Sequence, residues 1–402
     1  MSEVSAPLAD IVVVSVEQAI SAPFATRQLA DLGATVIKIE RPEGDFARHY
    51  DSLVNGNSAF FVWANVGKQS VAIDMRNPDD ERLLKSLIAG ADVFIHNMSP
   101  SAAKGRGIDA DTLRAEHSNL IVCAISGYGP DGPRSDDKAY DLAIQAEAGA
   151  FSVTGDEVMS KVGFSVADIS AGMYALTSIL AALVRRDRSG EGASIHVSML
   201  EALAEWLSAP LYAATYGTGQ APRTGRRHHA IAPYGTFGLS DGRTILIAVQ
   251  SDGEWQSLAA ALLENPALGT DPRFVTNSDR LANVVELETL ISEQLASISG
   301  EEAMSRLAAG RIAVARVNEL AGVWRHEQLR ARGRFHEVQT ENGPVELLDP
   351  PFDISGWARP PSSIPGLNEN DPKVLATIID RGRQRGVVPK VKLPAKPPGD
   401  SI

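Results

Sequence analysis

The sequence predicts an α/β protein with a large lobe built on a parallel, helix-covered sheet and a smaller α+β lobe. Two observations support this prediction. In the first third of the chain, short apolar runs alternate with segments of helical spacing, the pattern of repeated βαβ units. After residue 217, a polar segment punctuated by Gly and Pro separates this pattern from a second set of strands and helices. With 402 residues, 44% of them apolar, the chain can bury two cores.

Short runs rich in β-branched residues predict the strands of the large lobe, and longer runs with helical spacing predict its helices. The predicted strands are residues 11–16, 34–39, 70–73, 92–95 and 120–125. The predicted helices between them are residues 24–32, 79–89 and 109–114. Because strands and helices alternate, we expect a parallel sheet with helices on both faces.

The chain becomes more helical after residue 140. Helices are predicted at residues 140–148, 169–186 and 199–216, with a short strand at 194–196. Further strands are predicted at 234–237 and 244–249, an apolar run at 312–317, and helices at 252–263, 284–297, 300–309 and 323–332. We expect residues 1–217 to form the first part of the large lobe and residues 230–330 the small lobe. Residues 331–402 would return to the large lobe and end in a flexible tail rich in Pro, Lys and Gly.

Charge and cysteine content argue against several classes of function. The net charge of -12 is opposite to the clustered positive charge that nucleic-acid binding requires, so no nucleic-acid partner is expected. Cys123 is the only cysteine, which excludes an intrachain disulfide and a Cys-rich metal site, and no metal is expected. The N-terminus lacks a targeting pattern and no uncharged apolar run approaches the length of a membrane span. We therefore expect a cytoplasmic protein that binds no membrane.

Several loops that follow predicted strands carry candidate ligand-binding residues. The first strand-to-helix turn, VEQAISAP, lacks the G-x-G-x-x-G pattern, which argues against a standard dinucleotide site. Arg41 and Lys68 lie near strand ends, and Lys104 and Arg106 follow the fourth strand in SPSAAKGRG. Cations clustered at strand ends can bind phosphates, although a solvated surface position is the usual place for any one of them.

Asp168 lies in GFSVADISAG, between a small apolar run and the start of a long predicted helix. This is a natural N-cap position, and a cap would stabilise the helix and do nothing more. A carboxylate at a helix N-terminus is also suited to nucleophilic chemistry, since the helix dipole favours its charged form. The two roles are compatible.

Motifs along most of the chain resemble the class III CoA-transferase family, which contains formyl-CoA, carnitine and bile-acid CoA-transferases. They are, in family order, ADLGATVIKIERPEGD, NVGKQSVAIDM, ISGYGPDGP, AYDLAIQAEAG, DISAGMYALTSILAAL, RSGEGASIHVSMLEA, APYGTF and ARVNELAGVWRHEQLRARGRF. The resemblance implies a Rossmann-like large lobe that binds coenzyme A, and a homodimer of interlocked chains. It also implies an enzyme with no permanently bound cofactor, whose substrates are an acyl-CoA and a carboxylic acid.

The resemblance assigns roles to individual residues. The family's catalytic carboxylate falls on Asp168, and Tyr140 and Lys138 would lie near the reacting thioester. Family contacts to coenzyme A are matched by Gln18, Ala19, Arg41, Asn97 and Met98. A family Arg aligns with Gly105, so Lys104 or Arg106 is expected to replace it. The run of glycines found in formyl-CoA-type members is absent, and TGRRHHAIAP stands in its place.

The implied reaction moves CoA between two acids through an aspartyl anhydride and an aspartyl-CoA thioester on Asp168. The basic residues 226–229 suggest a dicarboxylic substrate such as itaconate, citramalate, mesaconate or succinate, unless they form an exposed loop with solvated charges. An α-methylacyl-CoA racemase is an alternative, but the racemase branch has His-Asp where this chain has Tyr140-Asp141. A non-catalytic CoA-binding protein is the other alternative.

Overall fold

The computed structural model describes residues 6–217, 219–220, 222–357, 359 and 362–386. The chain divides into two compact units. The first comprises Met1–Ala150, Val162–Leu211 and Arg332–Ile402, and the second comprises Phe151–Lys161 and Tyr212–Ala331. Residues 151–161 thus group with the second unit, away from the segments that flank them in the chain.

Strands and helices are numbered along the chain. The strands are β1 (Val12–Val16), β2 (Thr35–Glu40), β3 (Gln69–Ala72), β4 (Val93–His96), β5 (Ile121–Ser126), β6 (Ala193–Ser198), β7 (Tyr234–Gly238), β8 (Thr244–Ala248), β9 (Ala313–Arg316), β10 (Phe335–Thr340) and β11 (Gly343–Leu348). The helices are α1 (Ser21–Asp31), α2 (Ala59–Asn65), α3 (Pro78–Gly90), α4 (Pro100–Gly105), α5 (Ala110–Glu116), α6 (Asp141–Glu147), α7 (Ala150–Val153), α8 (Val166–Ser189), α9 (Met199–Trp206), α10 (Ser208–Tyr216), α11 (Asp252–Ala261), α12 (Asn277–Ala282), α13 (Val284–Ser297), α14 (Gly300–Ala309), α15 (Leu320–Trp324), α16 (Glu327–Ala331) and α17 (Pro372–Gln384). Phe46–His49 and Pro266–Thr270 form short 3-10 helices.

The first unit is built on a six-stranded sheet in which every strand pair is parallel. The predicted parallel α/β sheet is therefore confirmed. Alternate residues of its strands belong to two different apolar clusters, because successive side chains of a strand point to opposite faces. One cluster contains the buried faces of α1 and α8, and the other contains those of α3, α5 and α17.

The strand order of this sheet is β3-β2-β1-β4-β5-β6. The order reverses between β1 and β4, so the chain leaves the carboxyl ends of these two neighbours in opposite directions. In open α/β sheets, ligands bind in the crevice at such a switch point. The loops after β1 and β4 therefore mark the place where a ligand site is expected.

The second unit has its own sheet and its own core. Its antiparallel strands lie in the order β7-β8-β9, and α11, α13 and α14 bury apolar faces in the same cluster as this sheet. Trp255, Phe274 and Leu287 are among the fully buried side chains of the cluster. A small α+β unit was predicted for this part of the chain.

Several features differ from the predictions, among them the helix predicted at 323–332, which is two short helices, α15 and α16. The helix predicted at 199–216 breaks at Leu207, because Pro210 has no N–H with which to continue the ladder of backbone hydrogen bonds. The hairpin β10–β11 and the helix α17 were not predicted individually within the C-terminal segment. The tail predicted to be flexible, residues 387–402, lies outside the described residues.

Helix α8 is the one helix in the described part of the chain that is long and apolar enough to cross a membrane. In its most apolar window, 56% of the residues are buried inside the protein. The core helix of a soluble protein passes the same length and hydropathy test. The contacts of α8 with the sheet and with α1 account for its apolar composition.

Candidate active site

Asp168 is the third residue of α8, and only 9% of its surface is exposed. The predicted N-cap role is wrong, since the helix begins at Val166 and its N-cap residue is Ser165. The carboxylate of Asp168 nevertheless lies in the first turn of the helix, where free backbone N–H groups and the helix dipole act on a negative charge.

The carboxylate of Asp168 also faces the first residue of α1. Ser21 acts on this carboxylate through its backbone and its side chain, and both interactions favour the charged form and lower its pKa. This meeting requires α1 and α8 to approach closely, and Gly172 permits it. A Cβ at Gly172 would lie 2.8 Å from the Ser21 carbonyl oxygen and 2.9 Å from Cδ1 of Phe24. Two helix N-termini therefore converge on one carboxylate.

Asp141, the first residue of α6, supplies the capping interaction at the start of α8. Its Oδ1 accepts hydrogen bonds from the backbone N–H of Ala167 at 2.8 Å and, more weakly, of Asp168 at 3.4 Å. Its Oδ2 accepts a 2.7 Å hydrogen bond from Nε2 of Gln145, whose Oε1 in turn accepts one from the N–H of Val162. Asp141 thus fixes the position of Asp168 and places a second negative charge beside it.

Burial, and after it the charge of Asp141, raises the pKa of Asp168 from its ordinary 3.8 to about 7. The two hydrogen bonds from Ser21 act in the opposite direction but do not offset these effects. The sequence-based expectation that the helix N-terminus favours the charged form of this carboxylate needs correction, because burial and Asp141 raise its pKa. A carboxyl group whose pKa is raised is a stronger nucleophile in its ionised form.

Two tyrosines lie near Asp168. Tyr140 is the residue before α6, and its side chain is 69% exposed. Tyr50 was not predicted from the sequence, where nothing in DFARHYDS distinguishes it from a surface tyrosine. Burial raises the pKa of Tyr50, and interactions with Asp45, Asp168 and Tyr140 raise it further. Its ring packs edge to face on Phe60, with a centroid distance of 5.5 Å.

The turn after β1 meets the turn after β4 at the switch point. The side chain of Asn97 forms two hydrogen bonds with the backbone of Gln18. Its Oδ1 accepts from the Gln18 N–H at 3.1 Å, and its Nδ2 donates to the Gln18 carbonyl at 2.8 Å. Nδ2 of Asn97 also lies 3.3 Å from Oγ of Ser21. Ala19 has a φ of 61°, in the left-handed region. Gln18, Ala19 and Asn97, three of the predicted CoA-binding residues, are therefore brought together next to the partner of Asp168.

The remaining predicted CoA-binding residues lie on loops of the same unit. Arg41 follows β2 with its guanidinium 5.9 Å from the Phe46 ring centroid, and Lys138 is exposed just before Tyr140. Met98 follows Asn97 directly, and its N–H donates to Nδ1 of His96 at 3.3 Å.

Lys104 and Arg106 are exposed at the end of α4. Nη1 of Arg106 donates to the carbonyl of Met75 at 3.2 Å. Arg106 and Met75 line a cavity of about 250 Å³ together with Glu81, Leu84, Lys85, Gly105 and Ile108. Lys85, which was not predicted from the sequence, thus adds a cation to the wall of this cavity.

Lys68 is not placed to bind a phosphate. It is buried, and its Nζ donates to Oε1 of Glu17 at 2.7 Å, to the carbonyl of Pro23 at 2.9 Å and to Oδ1 of Asn65 at 3.0 Å. All three donors of the ammonium group are therefore used inside the protein. We leave Lys68 out of the proposed CoA site for this reason.

The basic residues 226–229 lie in the second unit. Nη1 of Arg227 forms an ion pair with Oε2 of Glu288 at 3.1 Å, and His228 stacks between His229 and Tyr234. Arg226 is exposed. In the part of the chain that the structure describes, no group of three or more His, Cys, Asp or Glu side chains is arranged to hold a metal ion.

Comparison with known proteins gives consistent results. The profile of CoA-transferase family III matches residues 8–371. The succinate–glutarate CoA-transferase of Agrobacterium fabrum is 31% identical over 391 residues, which cover 92% of this chain and 96% of the relative. The acetyl-CoA:oxalate CoA-transferase of Acetobacter aceti is 31% identical over 359 residues, or 88% and 90% of the two chains. The crystal structure of a CAIB/BAIF family protein from Brucella suis is 32% identical, superposes with a TM-score of 0.82, and is matched over 92% of this chain and 99% of that chain.

Proposed function

The chain belongs to CoA-transferase family III, and we propose that it transfers coenzyme A between carboxylic acids through covalent intermediates on Asp168. The observation that carries the proposal is the environment of this carboxylate. Asp168 is nearly buried, contacts two hydrogen-bond donors of Ser21, and has its pKa raised to about 7. A carboxylate that only caps a helix does not need to be buried or to have a raised pKa.

The first half-reaction forms and then resolves an anhydride. A carboxylate oxygen of Asp168 attacks the carbonyl carbon of the donor thioester, the C–S bond breaks, and CoA leaves as a thiolate. The thiolate then attacks Cγ of Asp168 in the mixed anhydride and releases the donor acid as a carboxylate. An aspartyl-CoA thioester remains on the enzyme.

The second half-reaction reverses these steps with the acceptor. The acceptor carboxylate attacks Cγ of the aspartyl-CoA thioester, forming a second anhydride and expelling the thiolate. The thiolate attacks the acceptor's carbonyl carbon, which gives the new acyl-CoA and restores the Asp168 carboxylate. No electrons are transferred, and each half-reaction exchanges one thioester for another, so both half-reactions are nearly isoenergetic.

Ser21 is well placed to stabilise the charge that develops on Asp168 during these steps. Each attack on Cγ turns an Asp168 oxygen into an oxyanion, and preorganised donors at that oxygen lower the barrier. The backbone and the side chain of Ser21 already favour the charged form of this carboxylate. Tyr50 interacts with this carboxylate and with Tyr140, and we assign to the two hydroxyls the orientation of the acyl group.

The CoA moiety would lie across the switch point of the sheet. Gln18, Ala19, Asn97 and Met98 supply the backbone and side-chain groups at the carboxyl ends of β1 and β4. The net charge of -12 repels an anionic ligand at long range, so nearby cations must attract its phosphates. Arg41, Lys104, Arg106, Lys85 and Lys138 are the cations that we assign to this purpose.

A dicarboxylic acid is the proposed acceptor. Both relatives named above act on dicarboxylates by name, glutarate in one and oxalate in the other. We include itaconate, citramalate, mesaconate and succinate as candidates.

We further propose that the enzyme is a cytoplasmic homodimer of interlocked chains. None of the nine residues of α10, all of which are described, is buried, although the helix is largely apolar. Leu211, Tyr212 and Tyr216 are at least half exposed. An apolar helix in this state is expected to pack against another surface, and a second copy of the chain would supply it.

A donor–acceptor screen tests the proposed function. Succinyl-CoA and acetyl-CoA would each be incubated with glutarate, oxalate, itaconate, citramalate, mesaconate and succinate, and the acyl-CoA products separated by chromatography. We expect exchange of CoA for at least one dicarboxylate, and none with the Asp168→Asn variant. Release of free CoA without a new thioester, or exchange of the α-proton of a branched acyl-CoA, would contradict transfer.

A further inference from the structure

We infer that a buried network of four charged side chains, Glu17, Lys38, Asp45 and Lys68, positions Ser21 against Asp168 and so tunes the reacting carboxylate. This inference rests on the proposed function, in that Asp168 is the carboxylate that reacts. The four residues would act as positioning residues, since none of them lies among the groups assigned to substrate.

The network is fully enclosed beneath the turn after β1. Glu17 and Lys38 are 5% and 0% exposed, and Asp45 and Lys68 are each 3% exposed. Two ammonium groups face two carboxylates, so the group as a whole is neutral. Lys68 contacts Glu17 at 2.7 Å, and Lys38 lies 2.8 Å from Asp45 and 3.6 Å from Glu17. Charges buried this deeply persist only when each is paired.

Three members of the network contact the turn that leads into α1 or the helix itself, and the fourth, Lys38, pairs with two of them. Glu17 precedes the turn directly, and its Oε2 accepts a 2.7 Å hydrogen bond from the hydroxyl of Thr26 within α1. Lys68 donates to the carbonyl of Pro23 in the first turn of the helix. Oδ1 of Asp45 accepts from the N–H of Ala19 at 3.2 Å.

These contacts stabilise a backbone conformation that the sequence does not favour by itself. Ala19 adopts a φ of 61°, which costs free energy for a residue with a Cβ and persists only where surrounding contacts determine it. The turn delivers Ser21 to the start of α1, where its backbone lies against α8 beside Gly172, one turn from Asp168, and where Ser21 lowers the pKa of that carboxylate. If the network loosens, Ser21 moves and Asp168 loses the two bonds that favour its charged form.

The pKa values of Glu17 and Lys68 agree with their close pairing in the network. Burial alone raises the pKa of Glu17, but the ammonium groups of Lys68 and Lys38 outweigh it and hold the pKa below its ordinary value. Burial lowers the pKa of Lys68 to about 8, against the attraction of Glu17. The charged group that acts on Asp168 itself comes from another element, namely Asp141 on α6, and Asp168 in turn raises the pKa of Tyr50 after the first 3-10 helix.

The test uses a double substitution, Glu17→Gln with Lys68→Met, which removes one pair of opposite charges and leaves the network neutral. The control is Arg27→Met with Asp31→Asn, which removes another buried pair, 2.6 Å apart, in the second half of the same helix. The free energy of unfolding is measured as a function of pH for three proteins: the wild type, the test variant and the control variant. Each of them is measured with Asp168 intact and with the Asp168→Asn substitution added.

The stability difference within each pair of proteins reports the folded-state pKa of Asp168 without any need for activity. Because that pKa is raised, ionisation of Asp168 destabilises the fold, so stability relative to the Asp168→Asn protein falls as pH rises from 3.8 and levels off above the folded pKa. We expect the difference in free energy of unfolding to become constant above about pH 7 in the wild type and in the control variant. In the Glu17→Gln/Lys68→Met variant it should become constant about one pH unit higher.

Turnover provides the second readout. The midpoint of its pH profile should rise by the same amount in the Glu17→Gln/Lys68→Met protein, with a fall in kcat of about tenfold or more, and should not move in the control. The inference would be overturned if the stability difference of the Glu17→Gln/Lys68→Met protein still levelled off near pH 7, with a loss of overall stability similar to that of the control variant. If the wild type transfers no CoA, the proposed function fails and the stability measurement still decides the inference. Should the double variant not fold, Thr26→Val is expected to shift the pH at which the difference levels off in the same direction by less, and no shift there would overturn the inference.

Discussion

At the scale of single residues, the surroundings of Asp168 raise the pKa of an ordinary carboxyl group and so suit it to act as a nucleophile. The resemblance to a family placed the reacting carboxylate on Asp168, but its environment could not be predicted. The capping carboxylate comes from Asp141, 27 residues before Asp168 in the chain. Ser21 is much more distant still. Local patterns contain no information on contacts of this range, which explains why the predicted cap was wrong and why Ser21 and Tyr50 were missed.

The raised pKa of Asp168 predicts the pH dependence of the reaction. The ionised carboxylate is the nucleophile, so kcat/KM for the acyl-CoA donor should increase about tenfold per pH unit below the pKa and level off above it. With a pKa of about 7, the bend should fall near neutral pH. Initial rates between pH 5 and 9 would measure it, with circular dichroism to show that the protein stays folded.

A rate that is constant from pH 5 upward would mean that Asp168 is fully ionised there, against the effect of burial and of Asp141. Asp141→Asn provides a matched variant, because it removes the neighbouring charge and keeps one acceptor oxygen for the N-terminus of α8. The bend should then move to lower pH.

At the scale of secondary-structure elements, the site is a product of the packing of α1 on α8. The strands of the large sheet and both of these helices were predicted, because their hydrophobic periodicity is strong. The packing of the two helices was not predicted, since periodicity says nothing about which glycine permits a close approach. The predicted helix at 199–216 failed for a reason visible in the sequence, namely Pro210.

Gly172→Ala should separate α1 from α8. The added Cβ would lie 2.8 Å from a backbone oxygen of Ser21, and backbone cannot move aside as a flexible side chain can. We expect a loss of about 1–3 kcal/mol in the free energy of unfolding. Transfer activity should fall at least about tenfold, because Ser21 and Asp168 move apart. Chemical denaturation and steady-state kinetics would measure the two effects.

Gly253→Ala in α11 is the matched control. A Cβ there would contact nothing within 4 Å, so stability should stay the same or rise by up to about 1 kcal/mol, with activity unchanged. Equal effects of the two substitutions would show that the close approach at Gly172 is unimportant.

At the scale of the whole molecule, charge and exposed apolar surface point beyond the single chain. A net charge of -12 means that an anionic ligand is attracted only locally, by the cations at the strand ends. The exposed apolar residues of α10 remain without an explanation inside one chain. Composition predicted the first of these properties. The exposure of α10 could be recognised only from the structure, because its apolar sequence would suit a buried helix equally well.

The proposed interlocked homodimer predicts an unusual resistance to dissociation. Light scattering after size-exclusion chromatography should give twice the monomer mass, and dilution to nanomolar concentration should not release monomers. Two dimer preparations with different tags should not exchange subunits unless they are unfolded and refolded together. A monomer, or rapid exchange under native conditions, would contradict interlocking.

The most direct test of the central claim is to trap the intermediate on Asp168. The enzyme would be incubated with succinyl-CoA or acetyl-CoA, treated with hydroxylamine or borohydride, digested, and examined by peptide mass spectrometry, with Asp168→Asn treated in parallel. The account predicts a hydroxamate or a reduced side chain at Asp168, formed only with the donor present and absent from the variant. Transfer activity without modification at Asp168, or modification at another residue that persists in Asp168→Asn, would contradict it.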